Sequence, residues 1–166
     1  MIIIKGEAMT LDKWLILISE WHKRKQYKEI IALETLLFTA PDSIWGPKLT
    51  DSQSKAIACW LDACLRLYQA SKEHNSIKAY QMLQYACAHL EVTAFNPITE
   101  VEIQDWCLKR LQHLTVLRLE FCNQQQDQSI WNKEAHSLID THVKLMENIS
   151  WNEPYTNLHH TSLIKH

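Results

Sequence analysis

The sequence predicts an all-α fold: about six antiparallel helices forming three helical hairpins, as a bundle or a short superhelical stack. Three observations carry this. Apolar residues recur at three- and four-residue spacing along nearly the whole chain, the period of a helix with one buried face. Glycine occurs only as Gly6 and Gly46, and proline only as Pro41, Pro47, Pro97 and Pro154, so residues that break helices are scarce. No stretch sustains the strict apolar–polar alternation of a half-buried strand.

Taken in order, residues 1–9 read as a leader. Lys5-Gly6-Glu7 can be encoded by a purine-rich stretch resembling a bacterial ribosome-binding sequence, which puts the expected start at Met9. The three isoleucines there lack the h-region and cleavage site of a signal peptide. One helical domain is expected over residues 10–150. Its first helix, residues 11–24, has Thr10 as N-cap and sets Leu11, Trp14, Leu15, Ile18 and Trp21 on one face. The second, residues 27–39, turns Ile30, Leu33 and Leu37 inward and stops at Pro41. "PDSIWGPKLT" follows as a loop.

Thr50 with Gln53 spells a capping box that opens a third helix. Its inner face is Ala56, Trp60, Ala63, Cys64 and Leu67. A fourth helix over residues 76–92 repeats the spacing with Ala79, Tyr80, Leu83, Ala86, Cys87 and Leu90. Thr99 with Glu102 gives a second capping box. The fifth helix then carries Ile103, Trp106, Leu108, Leu111, Leu114, Leu117, Leu119 and Phe121, apolar nearly all round. A helix without a polar face is enclosed by neighbours, so it is expected at the centre of the fold or in an oligomer contact. After the polar turn "NQQQDQS", a sixth helix places Trp131, Ala135, Leu138, His142, Leu145 and Ile149 in register. Periodicity is lost toward the end, and residues 151–166 read as a mobile tail. Turns are expected near Lys25, His74 and Gln126.

Composition narrows the function classes. The chain has 166 residues, 46% hydrophobic and 22% charged, enough to bury a core and too apolar for disorder. A net charge of −2 gives no global attraction to nucleic acid or an anionic membrane. The longest apolar run, Trp14 to Ile18, is too short to cross a bilayer. Cys59, Cys64, Cys87, Cys107 and Cys122 are odd in number, form no C-x-x-C and sit within helical patterns. They read as buried reduced thiols, which implies a cytoplasmic location.

No motif for chemistry emerges. Cys87 with His89, and His136 with His142, have spacings that do not share a helix face. Neither H-E-x-x-H nor a di-iron E-x-x-H occurs, so no metal site is expected. His159, His160 and His166 form a tract able to scavenge metal adventitiously. A thiolate nucleophile needs an electropositive, accessible setting, and these cysteines lie beside Trp60, Leu65, Ala86 and Trp106. Glu100 and Glu102 fit the charge preference of a helix N-terminus. A phosphate cradle needs glycines that this chain lacks. No catalytic residue and no cofactor are expected.

Two features are left as candidates for recognition. The basic stretch "HKRKQYK" contains Lys23, Arg24 and Lys25, which also complement the C-terminal end of the first helix. Most of the seven tryptophans fall on core stripes, but Trp45 lies in the loop between Ile44 and Pro47, and Trp151 at a helix end. Exposed aromatics anchor interfaces. Trp45, Ile44, Tyr27, Lys23, Arg24 and Lys25 are therefore the expected partner-binding residues, with the alternative that Trp45 folds back as a lid.

Within residues 11–41, Trp14, Leu17, Trp21, Tyr27 and Pro41 resemble a tetratricopeptide hairpin. In that family a large residue, a leucine and an aromatic line the first helix, an aromatic opens the second, and a proline follows. The chain departs from the pattern at Ile18 and Ile30, where the family has small residues, and its later hairpins repeat at about 50 residues rather than the family's 34. The resemblance implies stacked hairpins whose concave face holds a peptide of another protein. Chaperones of type III secretion are similar in size and composition. The expected function is thus a bacterial cytoplasmic protein–protein interaction module, an adaptor, chaperone or regulator without catalysis. The partner is another protein or peptide. No membrane is expected, nucleic acid is disfavoured, and a homodimer is compatible with the apolar fifth helix. The alternative is a transcription-linked regulator binding DNA or a small ligand.

Overall fold

The computed structural model describes residues 8–24 and 29–152, with side chains through residue 149. Among them are six α-helices, one 3-10 turn and no strand. The helices are α1 (Leu11–Lys23), α2 (Ile30–Phe38), α3 (Asp51–Ser71), α4 (Ser76–Ala94), α5 (Val101–Gln124) and α6 (Gln128–Asn152), with the 3-10 turn at Asp42–Trp45 between α2 and α3. The chain divides into two compact units, Met1–Leu114 and Thr115–His166. The boundary between the units falls inside α5.

In the first unit, local signals start the helices. The hydroxyl of Thr10 accepts from the Lys13 N–H, that of Thr50 from the Gln53 N–H, and the Asn75 side chain from the Lys78 N–H. Each satisfies a backbone donor that the first turn leaves free. Trp14, Ile18 and Trp21 of α1 are buried, as are Leu33 and Leu37 of α2. The Trp14 indole N–H donates to the Leu36 carbonyl at 2.8 Å, and that of Trp21 to the Glu29 carbonyl at 3.0 Å. As α1 advances its partners in α2 retreat, so the two helices are antiparallel.

Lys78 pairs with Glu34 at 3.4 Å, and Tyr85 packs edge-on against Phe38. Here α2 and α4 advance together and are parallel. The tight turn through His74, closed by the Asn75 N–H to the Ser71 carbonyl, folds α4 back along α3. It follows that α1 runs parallel to α3, and that the ends of α2 and α4 lie with the start of α3. Helix α3 packs against α1, α2, α4 and the 3-10 turn, so α3 rather than α5 is the centre of this unit. The inner faces read for α3 and α4 are buried residue for residue.

Helix α5 corrects two expectations. It is not apolar all round: Glu102, Asp105, Lys109, Gln112, His113, Val116 and Glu120 are exposed, opposite a buried stripe of Ile103, Cys107, Leu111 and Leu114 that Phe121 and Cys122 extend. Nor does Thr99 cap it. Thr99 is buried, and the carbonyl of Glu100 accepts the first helical bonds, from Ile103 N (3.0 Å) and Gln104 N (3.1 Å). The Glu100 N–H donates to the Pro47 carbonyl and its carboxylate accepts from the Leu49 N–H, both across the chain. These tertiary bonds outrank the local box.

In the second unit, Asp127 opens α6 by accepting from the Ser129 N–H and hydroxyl. Phe121 packs edge-on against Trp131 at 5.3 Å. Leu138 is buried, while Trp131, Ala135, His142, Leu145 and Ile149 are half-buried in the expected register. Among the described residues no helix is long and apolar enough to cross a membrane.

Candidate functional site

The segment between α2 and α3 builds the site. Pro41 ends the approach from α2, and the 3-10 turn tucks Ile44 inward until it is 0% exposed. The side-chain amide of Gln53 donates to the Ile44 carbonyl at 2.6 Å. Gln53 therefore does not complete the expected capping box. A buried carbonyl needing a donor captures it instead. Gln53 is 2% exposed, and its Oε1 is buried without a hydrogen-bond partner. Gly46 follows with φ at +103°, where a Cβ would stand 3.2 Å from Ile103 Cδ1 and 3.3 Å from Lys48 N. Only glycine adopts this turn so close to α5 without strain.

Residues 47–49 are bonded to Glu100, and together these segments enclose a groove of about 250 Å³. Leu49, Gln53, Ser54, Ile57, Glu102, Ile103 and Trp106 line it. Its walls are apolar, its one ionised group is the Glu102 carboxylate, and the Arg110 guanidinium lies 5.2 Å from the Trp106 ring. From the last turn of α4, through the link, to the first residue of α5, the chain exposes four large apolar side chains. Val92 is 71% exposed, Phe95 42%, Ile98 76% and Val101 62%. Adjacent exposed apolar residues mark interaction sites far better than scattered ones.

Next to this end lies an aromatic cluster. The Trp45 ring stacks on His89 (5.3 Å, 13°) and meets Trp60 edge-on at 4.6 Å, while Tyr85 packs edge-on against His89. Burial holds His89 below its ordinary value, partly offset by Asp42. Trp45 is half-buried, with its ring against Trp60 and His89.

The expected partner-binding residues are therefore dispersed. Ile44 has no surface to offer a partner, because it fills the core beneath the 3-10 turn. Trp45 shows only one side. Lys23 and Arg24 are exposed at the end of α1, where Arg24 lines a surface groove with Glu20 and Glu29. Tyr27 and Lys25 lie outside the described residues, as do the tail of residues 153–166 and the side chain of Trp151. A second groove, about 460 Å³, runs along Trp21, Ile30, Leu65 and Arg66, but Arg66 is already paired with Asp62 at 2.7 Å.

The thiols are poorly placed for chemistry. Cys64, Cys87, Cys107 and Cys122 are buried, Cys59 is half-buried, and none is bridged. Burial pushes the Cys107 thiol up to about 12, and raises Cys64 and Cys59 as well. Among the described residues no cluster of histidine, cysteine and carboxylate side chains has the arrangement of a metal site.

The groove escaped sequence reasoning because three separate segments build it. The exposed rim did carry a signal: Phe95, Ile98 and Val101 stand three apart in the irregular stretch "FNPITEV", where no helix face can bury them. In comparisons with known proteins, no family model, no curated protein and no solved structure matches this chain.

Proposed function

We propose that this chain works by binding another protein, as an adaptor, chaperone or regulator, and performs no chemistry of its own. One observation carries the proposal: the exposed Val92, Phe95, Ile98 and Val101 beside an apolar groove at the α4–α5 end of the first unit. An apolar surface of this kind is costly in water, and a protein partner removes that cost. Stacking α1 on α3 and α2 beside α4 is also what the tetratricopeptide resemblance implies, which supports a peptide-binding role. The raised thiol pKa values weigh against cysteine nucleophiles.

The test is affinity capture at low salt with the tagged full-length chain and with an Ile98→Glu/Val101→Glu variant. Both side chains are exposed, so the variant keeps its helical spectrum and thermal midpoint. A discrete partner held by the unaltered chain and lost by the variant is the expected result. Capture of no protein, or of the same protein by both, overturns the proposal.

A further inference from the structure

We infer that the groove between α3 and the start of α5 takes one large apolar side chain of the partner with a lysine or arginine cation beside it. This rests on the protein-binding role proposed above and specifies the partner's chemistry. Size comes first. Small-molecule sites run to roughly 300–1,000 Å³, and this groove is about 250 Å³, room for a single side chain rather than a cofactor. Its walls, Leu49, Ile57, Ile103 and Trp106, match such a group.

The polar character of the lining then selects what accompanies it. Glu102 is the only ion in the lining, and Gln53 brings an Oε1 that is buried without a partner. The Glu102 carboxylate therefore favours a cationic group beside the apolar one and disfavours an anion. Arg110 does not supply that cation from within the lining; its guanidinium lies over the Trp106 ring.

Three small probes that share a phenethyl group separate these contributions: phenethylammonium, phenethyl alcohol and 3-phenylpropionate. Each is titrated into the full-length chain while NMR follows the Gln53 side-chain amide and the Trp106 indole N–H. The ammonium should move both signals saturably and bind roughly two- to fivefold more tightly than the alcohol, the range an exposed ion pair provides. The carboxylate should bind most weakly. Glu102→Gln should reduce the ammonium to the alcohol's affinity and leave the alcohol unchanged. Equal binding of all three probes, or no shift at Gln53 and Trp106 at millimolar concentration, overturns the inference. If that happens while capture still depends on Ile98 and Val101, the docking role stands without this chemistry. If the ammonium is preferred but capture ignores those residues, the groove keeps its ligand chemistry and the inference of a partner side chain falls with the docking role.

Discussion

Replacing Trp14 with phenylalanine tests how the first hairpin is held. Trp14 is 0% exposed, and its indole N–H reaches the Leu36 carbonyl at 2.8 Å. Leu36 lies in the last turn of α2, where carbonyls have no partner within the helix. The Thr39 hydroxyl also reaches that carbonyl, at 3.3 Å, so Trp14→Phe does not strand it. The lost hydrogen bond is worth about 1 kcal/mol. The smaller ring leaves a gap worth about another 1 kcal/mol in lost burial and packing. The expected destabilisation is about 2 kcal/mol, enough to lower the melting temperature of a chain this size by roughly 4–8 °C. Ile16→Ala is the control: Ile16 is exposed on the same helix, and the change should cost less than about 0.5 kcal/mol. Urea unfolding followed by circular dichroism at 222 nm reads both without relying on tryptophan emission. If Trp14→Phe falls within the Ile16→Ala range, the indole does not pin α1 to α2.

Other outcomes follow from the same geometry. Gly46→Ala should destabilise by about 1–2 kcal/mol in the same assay, since φ is +103° and the new Cβ meets Ile103 and the Lys48 amide. Because burial lowers the folded pKa of His89 below 6.5, the unfolded chain takes up that proton first. The stability this protects is full above pH 6.5 and declines as pH falls through 6.5 toward the folded value. His89→Gln should flatten that part of the urea-midpoint profile relative to the unaltered chain. Titration with a thiol reagent under native conditions should modify Cys59 first and slowly, with Cys64, Cys87, Cys107 and Cys122 reacting only on unfolding.

Much of the fold was legible because it depends on local rules. The α4 stripe from Ala79 to Leu90 is a plain helical period, and it is buried as read. Thr10 caps α1 as a single side chain meeting a backbone N–H three residues away. The failures occur where a distant partner wins. Gln53 has the right spacing for a capping box, yet its amide turns to the Ile44 carbonyl. Glu100 displaces Thr99 because Pro47 and Leu49 hold it. The leucines of α5 suggested an enclosed helix, but Glu102, Asp105, Lys109 and Gln112 interleave to give a solvent face. Ile44 looked like an exposed loop residue, and only the path of the 3-10 turn shows it to be core. The groove has no continuous sequence signature, since Leu49, Ile57 and Trp106 come from three segments.

The most direct measurement is site-specific photocrosslinking in living cells, with a photoreactive phenylalanine analogue placed at Ile98 or at Ile77. Both positions are exposed isoleucines of the first unit, 76% and 64%, but Ile77 sits in the first turn of α4, at its other end. A docking face at the α4–α5 end predicts one discrete heavier adduct from position 98 and none from position 77. The same adducts from both positions, or none from either, would contradict it.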